Sequence, residues 1–164
     1  MTYHLRRQEK ALTDPTEINR VLTTVRLMTV ACCLDDLPYL FTVNFGWDAK
    51  GRDLWCHCAT EGRKLDILSR NSRVCVSVVE DRGYLEGECD HAYKSVILEG
   101  EAFIVADPVE KRRGLEILAR QQEADPEPTL ARFAGTPGDV DEVGIIRIHV
   151  HSLSGKQGPK PSKL

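Results

Sequence analysis

Leu54-Trp55-Cys56-His57-Cys58-Ala59-Thr60-Glu61-Gly62-Arg63-Lys64-Leu65 opens as a strand and closes as the start of a helix. The first half is apolar and β-prone, bounded upstream by the turn signal Lys50-Gly51-Arg52, which predicts a strand from Asp53 to Ala59. Alternation along that strand puts His57 on the opposite face from Cys56 and Cys58. Glu61-Gly62 breaks the strand, and Arg63 to Asn71 reads as a short helix with Leu65 and Leu68 turned inward. Two adjacent cations therefore sit at a helix start, where free N–H groups favour an anion and a positive side chain opposes the helix dipole. Arg63 offers a planar fork to phosphate oxygens and Lys64 a point charge. The residues alone leave two readings open, a phosphate site or an ordinary solvated helix start.

Outward from this stretch the pattern is mostly strands. Upstream, Asp14-Pro15-Thr16-Glu17 predicts a capped helix start, with Glu17 reaching back as the third residue. Ile18, Val21, Leu22 and Val25 continue it as one apolar face. Leu27 to Leu34 reads as a strand ending at Asp35-Asp36. Tyr39 to Phe45 is a second, with Tyr39, Phe41, Val43 and Phe45 on one face and Leu40, Thr42 and Asn44 on the other. With the strand from Asp53 these form an expected three-stranded meander. Downstream, Val74 to Val79 is a strand buried on both faces, and Glu80 to Asp90, acidic and holding Gly83 and Gly87, a loop. Tyr93 to Val105 is a long strand with a bulge or close backbone approach at Gly100. Asp107-Pro108-Val109-Glu110 opens a helix to about Gln122. Pro126, Pro128, Gly135, Pro137 and Gly138 mark an irregular connection, and Val143 to Val150 closes the sheet. The expected fold is mainly β, a six-stranded antiparallel barrel with a few flanking helices. One domain covers residues 1–154, and residues 155–164, with three lysines and two prolines, form a disordered tail.

Composition sets the bounds. At 164 residues, 41% hydrophobic and 29% charged, the chain fits one ordinary globular domain. A net charge of −3 argues against a nucleic-acid surface, which needs concentrated Lys and Arg. Met1 to Arg7 lacks the apolar core of a signal peptide, and no apolar run approaches membrane-spanning length, so the expected location is the cytoplasm. The six cysteines then read as reduced thiols. A zinc set of Cys56, His57 and Cys58 with Cys89 and His91 lacks the paired C-x-x-C knuckles, and the strand geometry separates His57 from its neighbours, so no metal site is expected. No Gly-x-Gly-x-x-Gly or Walker loop is present.

Several pieces in order along nearly the whole chain carry a resemblance. They are Arg6-Arg7, Val43-Asn44-Phe45-Gly46-Trp47-Asp48, His57-Cys58-Ala59 leading to Gly62-Arg63-Lys64-Leu65-Asp66, Asn71-Ser72-Arg73-Val74-Cys75, Tyr93-Lys94-Ser95-Val96-Ile97 and Ser154-Gly155-Lys156. The chain resembles the pyridoxamine-phosphate-oxidase-like family of FMN-binding split barrels, and within it the nitroimidazole-resistance subgroup. The most specific piece is the strand-end His-Cys-Ala with Gly-Arg-Lys-Leu following.

The resemblance implies a split barrel that binds FMN and works as an oxidoreductase, passing electrons from a reduced donor to a small organic acceptor. It implies that Arg63 and Lys64, beside Gly62, hold the FMN phosphate. His57, Cys58 and Ala59 would touch the cofactor, with Cys58 where many relatives carry Thr. Thr42, Val43 and Asn44 would border the isoalloxazine and ribityl chain. Ser95 matches a residue that reaches FMN from the other subunit, implying a homodimer with sites at its interface. His57 is the catalytic candidate, since a neutral imidazole can give or take a proton near pH 7. Trp47 and Trp55 read as core, and His149 and His151 as structural or exposed, without a partner visible in the sequence. The arginine-rich C-terminal strand of the true pyridoxamine-phosphate oxidases is absent here, which argues against vitamin-B6 oxidation. Two rival functions are a flavin-binding protein without turnover and a haem protein using His57, His91 or His149 as axial ligand.

Overall fold

The structure is a computed structural model that describes residues 6–159. In chain order the elements are β1 (Ala11–Leu12), α1 (Pro15–Thr24), β2 (Leu27–Leu34), β3 (Leu37–Asn44), β4 (Gly46–Asp48), β5 (Asp53–Cys58), α2 (Arg63–Arg70), β6 (Arg73–Leu85), β7 (Asp90–Val105), α3 (Pro108–Gln122), α4 (Glu127–Ala134), α5 (Pro137–Asp141) and β8 (Gly144–Gln157). The strands form one eight-stranded antiparallel sheet in the order β3-β2-β6-β7-β8-β5-β4, with β1 paired to β8. This is the mainly β split barrel expected, with β1 and β4 added to the six strands read from sequence.

The split lies between β3 and β5. Both were expected in one meander, but β5 pairs with β4 and β8 and forms no ladder with β3. The chain turns a corner after Phe45, because α3 lies directly on the backbone there. A Cβ added at Gly46 would meet the Ile117 carbonyl at 2.8 Å. Continuing the β4–β5 register, in which Gly46 faces Trp55, two residues upstream brings Asn44 opposite His57.

Two apolar cores result. The barrel interior collects the inward faces of the strands, among them Met28, Val30, Phe41, Leu54, Cys56, Val76, Leu98 and Ile148. Val21 and Leu22 of α1 and Leu65, Ile67 and Leu68 of α2 insert into it. Each such fully buried aliphatic side chain contributes roughly 1.5–3 kcal/mol. A second core lies outside the barrel, where Trp55 on the other face of β5 packs with Val105, Leu115, Ala134, Val140 and Ile145. β3 alternates as read, with Phe41 and Phe45 buried and Leu40, Thr42 and Asn44 exposed.

Five segments differ from the sequence reading. Val74 to Val79, expected to be buried on both faces, alternates within β6: Val74, Val76 and Val78 are buried while Cys75 and Val79 are exposed, because no layer covers the outer face there. Glu80 to Asp90, expected as a loop, extends β6 and β7 into a hairpin, with Asp81 opposite Tyr93 and Leu85 opposite Asp90. Its glycines serve a register shift and the turn. The stretch after Gln122 is not irregular but contains α4 and α5. Pro128 and Pro137 occupy first-turn positions, where the missing N–H costs no bond, Pro126 is the N-cap of α4, and Thr136 with Asp139 forms a capping box. The last strand runs past Val150 to Gln157, so Gly155 to Gln157, expected in the loose tail, lie in β8, where Gly155 packs beside Leu12. Residues 160–164 of that expected tail lie outside the described residues. Asp14 caps α1 by accepting from Thr16 N–H at 2.9 Å, whereas Glu17 does not reach back and instead pairs with Arg20 and Lys94.

The bulge read at Gly100 is present, since the β7–β8 register shifts between Glu99 and Gly100. A Cβ there would stand 2.0 Å from the His149 carbonyl oxygen, so only glycine lets the strands close.

Candidate functional site

The end of β5 and the start of α2 bring together most of the candidates read from sequence. Gly62, at φ 126° and ψ 171°, occupies the N-cap and offers no side chain to the helix N–H groups. Its carbonyl accepts from Leu65 and Asp66 N–H at 2.9 and 3.2 Å, which leaves the Arg63 and Lys64 N–H groups without a partner among the described residues. The Arg63 guanidinium lies 4.4 Å from the ring centroid of Tyr39, and the Lys64 ammonium 5.5 Å from that of Phe41. The two rings stand 6.1 Å apart on β3. Neither cation has a carboxylate partner among the described residues. Arg63 is exposed and Lys64 half-buried. Two positive charges thus rest on an aromatic shelf beside an uncapped helix start, a positive field with no internal counter-ion. Tyr39 and Phe41 were read only as one face of a strand; their spacing shows the alternation, but only the folded barrel shows the cations above them.

The alternation of β5 sends its side chains to different places. Cys56 is buried in the barrel core and Cys58 packs half-buried against it. Burial pushes the Cys56 thiol up to about 12 and raises that of Cys58, each partly offset by the Lys64 charge. Ala59 follows at the exposed strand end. His57 points the other way, toward α3 and α4, and shares a cavity with Asn44. Loss of hydration there, and secondarily the Lys64 cation, lowers its pKa, so the imidazole is neutral at pH 7 with one nitrogen a donor and the other an acceptor.

The remaining candidates are dispersed. Thr42 lies on the outer face of β3, its hydroxyl 3.2 Å from that of Thr29. Val43 faces the barrel core instead of joining Thr42 and Asn44. Ser95 stands in β7 between Val79 and Lys156, and no hydrogen bond joins its side chain to α2 among the described residues. Both tryptophans pack: Trp55 in the second core, Trp47 against the barrel with its Nε1 donating to Asn19 at 3.0 Å. His149 does have a partner, since its Nδ1 lies 2.9 Å from the buried carboxylate of Asp53. His91 is likewise held, 2.7 Å from Asp81. All six cysteines are free thiols. Among the described residues no helix is long and apolar enough to cross a membrane.

The sequence reading missed the helical wall of the cavity, formed by Leu115, Leu118 and Gln122 of α3 and by Phe133 of α4. The α3 positions recur at helical spacing and could have been found. The α4 position was hidden in a stretch read as irregular.

The chain is thus a split barrel with a cation pair lacking a carboxylate partner where its fifth strand meets a helix, and with a second pocket beside its helical layer. Residues 14–157 match the pyridoxamine 5'-phosphate oxidase family, and the chain belongs to that family. Among solved structures it is similar to a candidate 5-nitroimidazole antibiotic resistance protein from Bacteroides thetaiotaomicron, at 22% identity and TM-score 0.76, over 95% of this chain and 96% of that one. It is also similar to the FAD and heme binding protein of Mycobacterium smegmatis, at 24% identity and TM-score 0.75, over 94% and 77%. A FAD-binding protein from Mesorhizobium loti has 20% identity and TM-score 0.66, over 92% and 98%. No curated protein matches the chain in sequence.

Proposed function

We propose that this chain is an FMN-binding oxidoreductase that acts as a homodimer on a small organic acceptor. The observation that carries the reading is the pair Arg63 and Lys64, unneutralised and poised on Tyr39 and Phe41 at an uncapped helix start. That donor set fits a phosphate: two backbone N–H groups, a guanidinium fork and an ammonium. Family membership and the flavin-binding proteins among its structural neighbours support the flavin as the bearer of that phosphate. When bound, FMN supplies two-electron redox chemistry between a reduced donor and the acceptor.

In this reading the chain's own residues bind and orient. Arg63 and Lys64, with the N–H groups after Gly62, hold the phosphate. Cys58 and Ala59 lie along the strand end, and Thr42, Val43 and Asn44 border the ring and ribityl chain. Ser95 serves the site of the partner subunit. Neutral His57 can hold a proton on one ring nitrogen and accept one at the other, as a proton relay to substrate requires.

The test compares FMN, FAD and riboflavin on wild type and on the Arg63→Ala/Lys64→Ala double variant, by quenching of flavin fluorescence. Two charge-assisted contacts of ~1.5–3 kcal/mol each predict at least a hundredfold loss of FMN affinity, since ~1.4 kcal/mol is tenfold. Riboflavin, lacking phosphate, should bind both proteins equally, and light scattering should find two subunits with FMN present. Equal loss for FMN and riboflavin would make the pair structural, and a stable monomer holding FMN would remove Ser95 from the site.

A further inference from the structure

The cavity between β5 and the helices is separate from the start of α2. It encloses about 110 Å³, walled by Leu115, Leu118 and Ala119 of α3 and Phe133 of α4, with Asn44 and His57 on the barrel side. An apolar cavity of roughly 150 Å³ accommodates benzene, so this smaller space holds a single ring only where the ring uses the open rim as well.

One polar group in the wall is held ready. Gln122 is 9% exposed, and its side-chain nitrogen donates to the carbonyls of Arg26 at 3.0 Å and Phe45 at 2.7 Å. Both amide hydrogens are then used, and its Oε1 has no partner among the described residues. Gln122 lines the cavity, and an unpartnered amide oxygen open to that space favours an occupant carrying an N–H or O–H donor. The charge pattern narrows the class further. No Lys or Arg lines the space, His57 is neutral, and Glu123 stands at the rim. An anion would meet the Glu123 carboxylate with no cation in the wall, the nearest positive influence being Lys64 behind His57.

We propose that this cavity is the substrate pocket, and that it takes a small neutral single-ring molecule with one N–H or O–H donor. The donor meets Gln122 Oε1, and Asn44 and His57 meet polar atoms on the ring's other side. Its role as a substrate pocket rests on the flavin reading, because His57 adjoins Cys58 and Ala59, to which the cofactor is assigned. α4, through Phe133, is the wall that sets ring size.

The test uses the full chain with and without FMN, and reads 4-fluorophenol and 4-fluorobenzoate by fluorine NMR line broadening. The phenol should bind, and the benzoate at least about tenfold more weakly. Ala119→Leu, which fills the cavity, should weaken phenol binding by about tenfold or more, the scale of one misplaced aliphatic group in a pocket, with FMN affinity unchanged. Phe133→Ala alters a wall residue that is 38% exposed and belongs to neither apolar core, and it should also weaken the phenol if Ala119→Leu fails to fold. Phenol binding indifferent to both substitutions, or a benzoate bound equally well, would overturn the pocket while FMN still binds. Phenol binding that follows the pattern in a protein that binds no FMN would overturn the flavin reading and the substrate role, leaving the ring site as measured.

Discussion

Gln122 ties the helical layer to the barrel, and replacing it with leucine should cost more than its size suggests. Its side-chain nitrogen donates to Phe45 O in a buried bond of 2.7 Å and to Arg26 O in a half-buried one of 3.0 Å. Arg26 returns a bond to the Gln122 carbonyl at 2.8 Å. Gln122→Leu keeps the volume but strips both donors. The Phe45 carbonyl, at the corner where β3 gives way to β4, then loses a partner in a place water does not reach. An orphaned buried carbonyl costs about 1–3 kcal/mol and a half-exposed one nearer 0.5–1.5 kcal/mol, so the sum is about 2–4 kcal/mol. Gln122→Glu, nearly isosteric, should cost at least as much, since a carboxylate would face two carbonyls. Urea denaturation at fixed protein concentration, with and without FMN, reads the difference. At a slope of about 2 kcal/mol per molar, the midpoint should fall by about 1–2 M. A loss below about 0.5 kcal/mol would mean that these carbonyls do not depend on Gln122, and the reasoning that leaves its oxygen as the free atom in the cavity would fall with it.

Two further outcomes are expected. Gly114→Ala should destabilise by about 1–3 kcal/mol in thermal melts even though alanine is the better helix former, because the new Cβ would stand 2.5 Å from the buried ring of Trp55; a stabilised variant would show that the second core has slack. His57 should titrate below its unfolded value of about 6.5 in proton NMR, and Lys64→Ala should move it part of the way back, since burial is the larger cause and the Lys64 cation the smaller. A depressed histidine pKa gives stability that is present above the unfolded value and is lost as pH falls through the lowered one. An unshifted titration, or one indifferent to Lys64→Ala, would remove His57 from the field of that cation.

Local signals carried most of the fold. Asp14-Pro15 starts α1 as read, and the alternation within Tyr39 to Phe45 puts Phe41 and Phe45 on one face, the one the barrel buries. The misses share a physical cause. The Glu80 to Asp90 hairpin is exposed on most of its side chains, so no apolar periodicity marks it, and its glycines look like breakers when they serve a bulge and a turn. α4 and α5 were hidden because proline in a first helical turn looks the same in sequence as proline in a loop. The split between β3 and β5 depends on α3 pressing on Gly46, a contact between residues about seventy apart in the chain, which no local pattern encodes. In the same way Arg63 and Lys64 were legible as charges at a helix start, whereas the cavity beside His57 needed α4, whose place follows from packing.

The two cores explain why one strand can carry two chemistries. β5 is only six residues long, yet its alternation puts Leu54 and Cys56 in the barrel and, on the other face, Trp55 under the helices and His57 at the more exposed edge of the cavity beside them. A strand in an open antiparallel sheet commonly buries one face and wets the other. Here α3 to α5 cover the second face, since an exposed Trp55 would present a large apolar surface to water. That cover leaves a cavity, open at one rim, next to His57 and removes part of the imidazole's hydration. The inward face ends at Cys58, just before the uncapped helix start that holds Arg63 and Lys64 free of carboxylates. Adding an anionic side chain at Thr60, which continues the Cys58 face, would neutralise the cation pair without entering the cavity, while filling the cavity from α3 would leave the cations as they are. The separation follows from strand alternation, so phosphate binding and ring binding should respond independently to substitution on the two faces of β5.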